Sequence, residues 1–150
     1  MTWSIADRRS WLFPPVSGVV DAIDLADLDP ADSEDRQLLI AFEHPKLDEA
    51  IGSGVQEVVV DGQVMSPTMH LTLHEIVANQ IWDGEPDVTW RTAERLTELG
   101  YERHDVLHMI AWVVGLELRE SLRNRRLHRP DLLAERLEGL PASWEALRSI

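Results

Sequence analysis

Two pairs of histidines, each spaced four residues apart, are the side chains of this sequence best suited to chemistry. His70 and His74 lie in Met69-His70-Leu71-Thr72-Leu73-His74-Glu75, and His104 and His108 in Glu102-Arg103-His104-Asp105-Val106-Leu107-His108. Residues four apart share one face of an α-helix, with Cβ atoms about 5–6 Å apart. At that separation two imidazoles can grip one metal ion, and two such helices can offer four nitrogens. Six histidines scattered at random should give about 0.2 pairs at spacing four, so two pairs are an excess. His70, His74, His104 and His108 are therefore the candidate metal ligands. The ordinary alternative is a set of buried or surface histidines with everyday hydrogen bonds.

Glu75 follows His74 directly and Asp105 follows His104 directly, so each pair has a carboxylate beside it. These two are the candidate catalytic groups, because a positioned carboxylate can serve as general base. Glu75 lies about 100° round the helix from His74. It could reach the metal, bind a second one, or hydrogen-bond a ligand imidazole. Asn79 and Gln80 carry amides that could orient a carboxylate, against the simpler role of solvating a helix end. Neutral imidazole suits zinc, iron, copper or nickel, and with an added carboxylate zinc is expected first and iron second. His44, ahead of Pro45, is a candidate fifth ligand, and His128 reads as a surface residue.

The stretch from His104 to His108 has the frame of the metalloprotease motif H-E-x-x-H, with aspartate in place of glutamate. Aspartate is one methylene shorter and would stand back from the water that the glutamate activates. Arg103 is unlike the apolar flank of that motif, and no third ligand follows at a usual distance. Glu117 and Glu120 lie further along the same helix and cannot fold back. Proteolysis is therefore disfavoured.

These residues need helices to hold them, and the surrounding sequence supplies the signals. Ser66-Pro67 reads as an N-cap and first-turn proline, opening a helix to about Trp82, stopped by Asp83-Gly84. His70, Leu73, His74, Val77 and Ile81 form a stripe on it at helical spacing. A second helix is expected from Pro86 or Asp87 to Leu99, with Gly100 at its end. A third, about Glu102 to Asn124, is apolar nearly all round between Val106 and Leu116, which predicts a central buried helix. His104, Leu107, His108, Ala111, Gly115, Leu118 and Leu122 share one side of it. Ahead of these, Asp32 to Asp35 reads as a helix start, Pro45 ends that helix and opens a short one to Ile51, and Gly52 and Gly54 close it. Asp61-Gly62 between the valine-rich runs Glu57–Val60 and Gln63–Met65 is a hairpin signature. Two short helices, Pro130–Leu137 and Pro141–Ser149, are expected at the end. The expected fold is mostly α: a compact helical bundle with one short β-hairpin before the first histidine helix. Residues 1–30, with Pro14-Pro15 and an acidic run from Asp21, read as an irregular N-terminal arm. Residues 31–150 read as a single helical domain.

Composition narrows the function classes. The net charge is −13, which repels phosphate backbones and anionic lipid, so neither nucleic acid nor membrane is the expected partner. A protein partner or a homo-oligomer stays open. The arginine-rich end from Arg119 to Arg129 reads as helix capping and solubility. There is no cysteine, which removes disulfides and thiolate metal sites, so a metal must be held by nitrogen and oxygen. The opening residues lack a continuous apolar stretch before Pro14, and the longest apolar run, Met109 to Leu116, is far short of the roughly 20 residues of a membrane span. A cytoplasmic protein is expected. Six tryptophans stand against one tyrosine, and Trp82, Trp90 and Trp112 are expected as core anchors.

From Phe42 to Leu122 the chain resembles a bacterial family grouped as domain of unknown function 1841. The residues that carry the resemblance are Glu43-His44-Pro45, Met69 to Gln80 with its H-x-x-x-H-E core, Trp82, and Gly100 to His108. Where similar sequences also show glutamate after the first histidine of the second pair, this one has Asp105, which weakens base chemistry there. The resemblance implies a helical fold and a shared histidine site. It assigns no reaction.

Three readings follow, from different classes. The first is a metal-dependent enzyme, with hydrolysis by metal-activated water ahead of oxygen chemistry at iron. The second is a binding or adaptor domain stapled by a structural metal. The third is a metal-free interaction module presenting an acidic surface and exposed tryptophans.

Overall fold

The structure is a computed structural model that describes residues 2–60, 62–127 and 129–148. Among the described residues it is mostly helical, with eight α-helices and two small antiparallel ribbons. By its internal contacts the chain divides into two units, Met1–Leu12 with Ile76–Ile150, and Phe13–Glu75. The division falls inside the first histidine helix.

The unit Phe13–Glu75 holds both ribbons and two short helices. The first ribbon pairs β1 (Val19–Val20) with β2 (Ile23–Asp24), in a stretch that the sequence suggested would be irregular. Its turn puts Asp21 and Ala22 at φ 51° and 66°, the primed geometry that matches strand twist. No glycine marks that turn, so the usual sequence signal is missing. Helix α2 (Ser33–Phe42) starts as expected, with the Asp32 carboxylate accepting from the Glu34 and Asp35 amides. Helix α3 (Pro45–Gly52) follows at once, with Pro45 in its first turn, and packs against α2. Leu39, Ile40 and Leu47 are buried. The second ribbon pairs β3 (Val58–Val60) with β4 (Gln63–Met65) in the expected place. Gly62 in its turn has φ 78°, and Asp61 lies outside the described residues. The ribbon feeds straight into α4 (Pro67–Asp83), capped by Ser66 Oγ accepting from the Met69 amide at 3.3 Å.

The other unit holds the second half of α4, α5 (Asp87–Glu98), α6 (Arg103–Arg123), α7 (Pro130–Glu138) and α8 (Ala142–Arg148). Helices α5, α6 and α7 pack on one another. Val106, Met109, Ile110 and Val113 of α6 are buried, as its apolar centre predicts. The expected apolar side of α6 does not run its full length. Leu107 and Ala111 are buried, but Leu122 is 71% exposed, because the helix outlasts the neighbours that could cover it. Trp90 and Trp144 are buried, and the Trp144 ring meets Trp112 edge-on at 5.7 Å.

Helix α1 (Ile5–Leu12) belongs to this unit and also arises where irregular chain was expected. Its start is a reciprocal cap: the Ser4 amide donates to Asp7 Oδ2 at 2.8 Å, and the Asp7 amide donates to Ser4 Oγ at 3.0 Å. Arginines attach it. Arg8 Nε donates to the Ile81 carbonyl at 2.9 Å, Arg9 Nε donates to the Trp82 carbonyl at 3.2 Å, and Arg103 donates back to the Leu12 carbonyl. The Arg9 guanidinium lies over the Trp82 ring at 4.4 Å.

These arginines meet the turn that ends α4. Gly84 has φ +79°, and a Cβ added there would sit 2.6 Å from Arg8 Nη2. Gly84→Ala is expected to cost about 1–3 kcal/mol, from the left-handed backbone and the displaced guanidinium together. A thermal melt checks it, and an unchanged midpoint would mean that neither constraint matters.

The charged residues after α6 also have specific roles. Glu117 is 2% exposed and accepts from Arg126 at 3.2 Å and from Arg136 at 3.0 Å. Both arginines also reach Glu120, and the hydrogen bond from Arg136 holds the Glu120 carboxyl below its ordinary range. Arg126 therefore serves an ion cluster joining α6 to α7 and is more than a solubilising residue. His128 lies outside the described residues.

Candidate metal centre

His70 and His74 sit on the first two turns of α4, one turn apart and both buried. Their ring centroids are 4.6 Å apart, and their Nε2 atoms are 3.0 Å apart. Two ligands of one tetrahedral zinc, each bonded at about 2.0–2.1 Å, would have nitrogens about 3.3 Å apart. The pair thus stands close to the spacing of shared ligation, and a small side-chain rotation covers the difference.

A third imidazole joins them inside the same unit. His44 links α2 to α3, is 7% exposed, and has its ring centroid 4.3 Å from that of His74 and 5.4 Å from that of His70. One nitrogen from each of the three rings lies within 4.8 Å of the others. The sequence offered His44 only as a possible extra ligand, since a lone histidine before proline carries no spacing signal. The H-x-x-x-H pair can be read because its two members lie on one helix. His44 comes to it by the packing of a separate segment.

Hydrogen bonds assign the protons of two rings. His44 Nδ1 lies 2.7 Å from the Ile40 carbonyl oxygen, which can only accept, so Nδ1 carries the hydrogen and Nε2 the lone pair. His70 Nδ1 lies 2.9 Å from Met65 Sδ. A thioether has no proton to give, so this Nδ1 is also the donor and His70 Nε2 is the lone-pair nitrogen. Ligand histidines commonly have one nitrogen fixed by a hydrogen bond and the other free for the ion. The donor set fits a borderline divalent transition metal: neutral nitrogens, buried, with the tautomer set at two of three.

Glu75 follows on the next face of α4. Gln37 Nε2 donates to its Oε2 at 3.4 Å, and partial burial raises its carboxyl above the ordinary range, which the Gln37 bond partly offsets. Gln80 accepts from Thr89 Oγ1 at 2.8 Å and so ties the end of α4 to the start of α5, while Asn79 is exposed. In the other unit, His104 and His108 stand one turn apart on α6, with centroids 4.3 Å apart and both half-buried. Asp105 between them is exposed on the first turn. Glu117 and Glu120 are occupied by arginine.

The fold and site define a mostly helical protein with a buried cluster of three imidazoles able to hold a metal ion. No protein-family model, no curated protein and no solved structure matches the chain. Among the described residues, no helix is long and apolar enough to cross a membrane.

Proposed function

We propose that this is a zinc-binding protein in which His44, His70 and His74 ligate the ion through Nε2. The carrying observation is the packing of three buried rings, two of them held as Nδ1–H tautomers. Three buried imidazoles are costly to protonate together, and a cation shared by their lone pairs satisfies all of them. Iron is the second choice of metal, since it accepts the same nitrogens. A cytoplasmic location and a histidine site shared with the bacterial family of the resemblance are part of the same proposal.

Protein purified after growth in defined medium should carry one zinc per chain by elemental analysis. Cobalt(II) should give the intense visible bands of a four-coordinate site. His74→Ala should weaken zinc binding and change that spectrum. Blank metal analysis together with no uptake from added zinc would end the proposal.

A hydrolytic reading is favoured by one observation, the Glu75 carboxylate next to His74 and held by Gln37. When bound, zinc supplies Lewis acidity for the activation of water. Glu75 would take up the proton, with Gln37 fixing its orientation. Glu75→Gln should then abolish any hydrolase activity found, with Asp105→Asn as the matched control. A site closed by four histidines in the cobalt spectrum would instead favour a structural ion.

A further inference from the structure

The contact between Met65 and His70 suggests a role for a side chain with no chemistry of its own. We infer that Met65 is a positioning residue for the metal: its thioether holds the proton of His70 on Nδ1 and so keeps Nε2 available as a ligand. This rests on the metal-binding reading above. Met65 is fixed from both sides, as the last residue of β4, paired with Val58, and as the residue just before the Ser66 cap of α4. Its Sδ therefore meets His70 Nδ1, five residues on, at 2.9 Å.

The consequence follows from the neighbouring ring. A neutral imidazole carries one hydrogen, on Nδ1 or on Nε2. His74 Nε2 stands 3.0 Å from His70 Nε2: with the lone pair on His70 Nε2 the bond is donated by His74, and with the His74 hydrogen on Nδ1 it is donated by His70 instead. Without an acceptor at the Met65 position, the hydrogen of His70 gains from moving to Nε2, toward His74. In that tautomer the lone pair needed by the ion is gone, and binding must first return the hydrogen to Nδ1. A thioether is also a weak acceptor, in contrast to the carbonyl on His44 at 2.7 Å. It sets the tautomer while adding little basicity, which makes His70 the most adjustable of the three ligands. A stronger acceptor at the same place should tighten binding.

The test compares wild type, Met65→Leu and Met65→Gln, each checked for folding by its thermal melt. Nitrogen-15 NMR of the histidine rings reads the tautomer in metal-free protein, and competition with a chromophoric chelator reads zinc affinity. His70 should be the Nδ1–H form in wild type and shift toward Nε2–H in Met65→Leu. Met65→Leu should bind zinc about 10-fold more weakly, and Met65→Gln, whose amide oxygen can accept, should bind at least as tightly as wild type. If Met65→Leu leaves both the tautomer and the affinity unchanged while wild type binds zinc, the role of Met65 is overturned and the metal reading stands. If wild type takes up no zinc, the metal reading fails alone. The tautomer shift in Met65→Leu then still decides whether the thioether controls the ring.

Discussion

Zinc affinity is expected to fall by more than about 100-fold in His44→Ala, beyond the 10–100-fold typical of losing a group that merely supports a ligand. His44 is the informative residue because its contribution comes from packing and not from the helical repeat. It stands between α2 and α3, its ring reaches within 4.3 Å of His74, and its Nδ1 is held by the Ile40 carbonyl. The Leu47 and Asp48 amides bond to its backbone carbonyl and keep the start of α3 in place whatever side chain is present. Alanine should therefore remove a ligand without unfolding the junction. A chelator competition measures the affinity, and His44→Gln provides a variant of closer size. Unchanged affinity in both would remove His44 from the site and leave only the α4 pair.

The second large effect concerns stability. Glu117→Gln should destabilise the protein by about 3 kcal/mol, near the low end for breaking a buried ion pair because both arginines keep some solvent contact. For a chain of this size that is roughly 10 °C in the melting midpoint. The loss comes from leaving Arg126 and Arg136 facing a buried position with no charge to meet, and Glu120 alone cannot compensate both. Glu117→Leu should fare no better, since it too strands the guanidinium groups. A drop below 1 kcal/mol would mean that the cluster is as weak as an ordinary surface network.

Much of the helical fold was legible in the sequence, for local reasons. Ser66-Pro67, Asp83-Gly84 and Gly100 act within one turn of the chain, and α4, α5 and α6 begin and end close to where they indicate. The second ribbon was legible because Asp-Gly lies between valine-rich runs. The first was not, because its turn uses Asp21 and Ala22 in a conformation normally marked by glycine. Helix α1 was hidden because its two buried residues are Arg8, set against a backbone carbonyl, and Leu12 at its end, so no apolar stripe announces it. Its Ser4–Asp7 cap was present in the sequence and could have found it. The exposed end of α6 was misread for the opposite reason, since helical periodicity says nothing of where neighbouring helices stop.

The site divides the same way. The α4 pair was legible from spacing alone, and Glu75 from adjacency. His44 was offered only as an extra ligand and Met65 not at all, since each reaches the cluster through a junction or ribbon whose course no local pattern specifies. Gln80 had helix-end solvation as its ordinary alternative, and it instead accepts from buried Thr89, a bond that ties α4 to α5.

The attachment of α1 behaves differently from everything around the histidines. Its donors are guanidinium groups, which keep their protons at any pH a protein survives, and its acceptors are peptide oxygens and an indole face that do not ionise. Acidification therefore finds nothing to protonate there. The anchor of α1 is therefore indifferent to acidity.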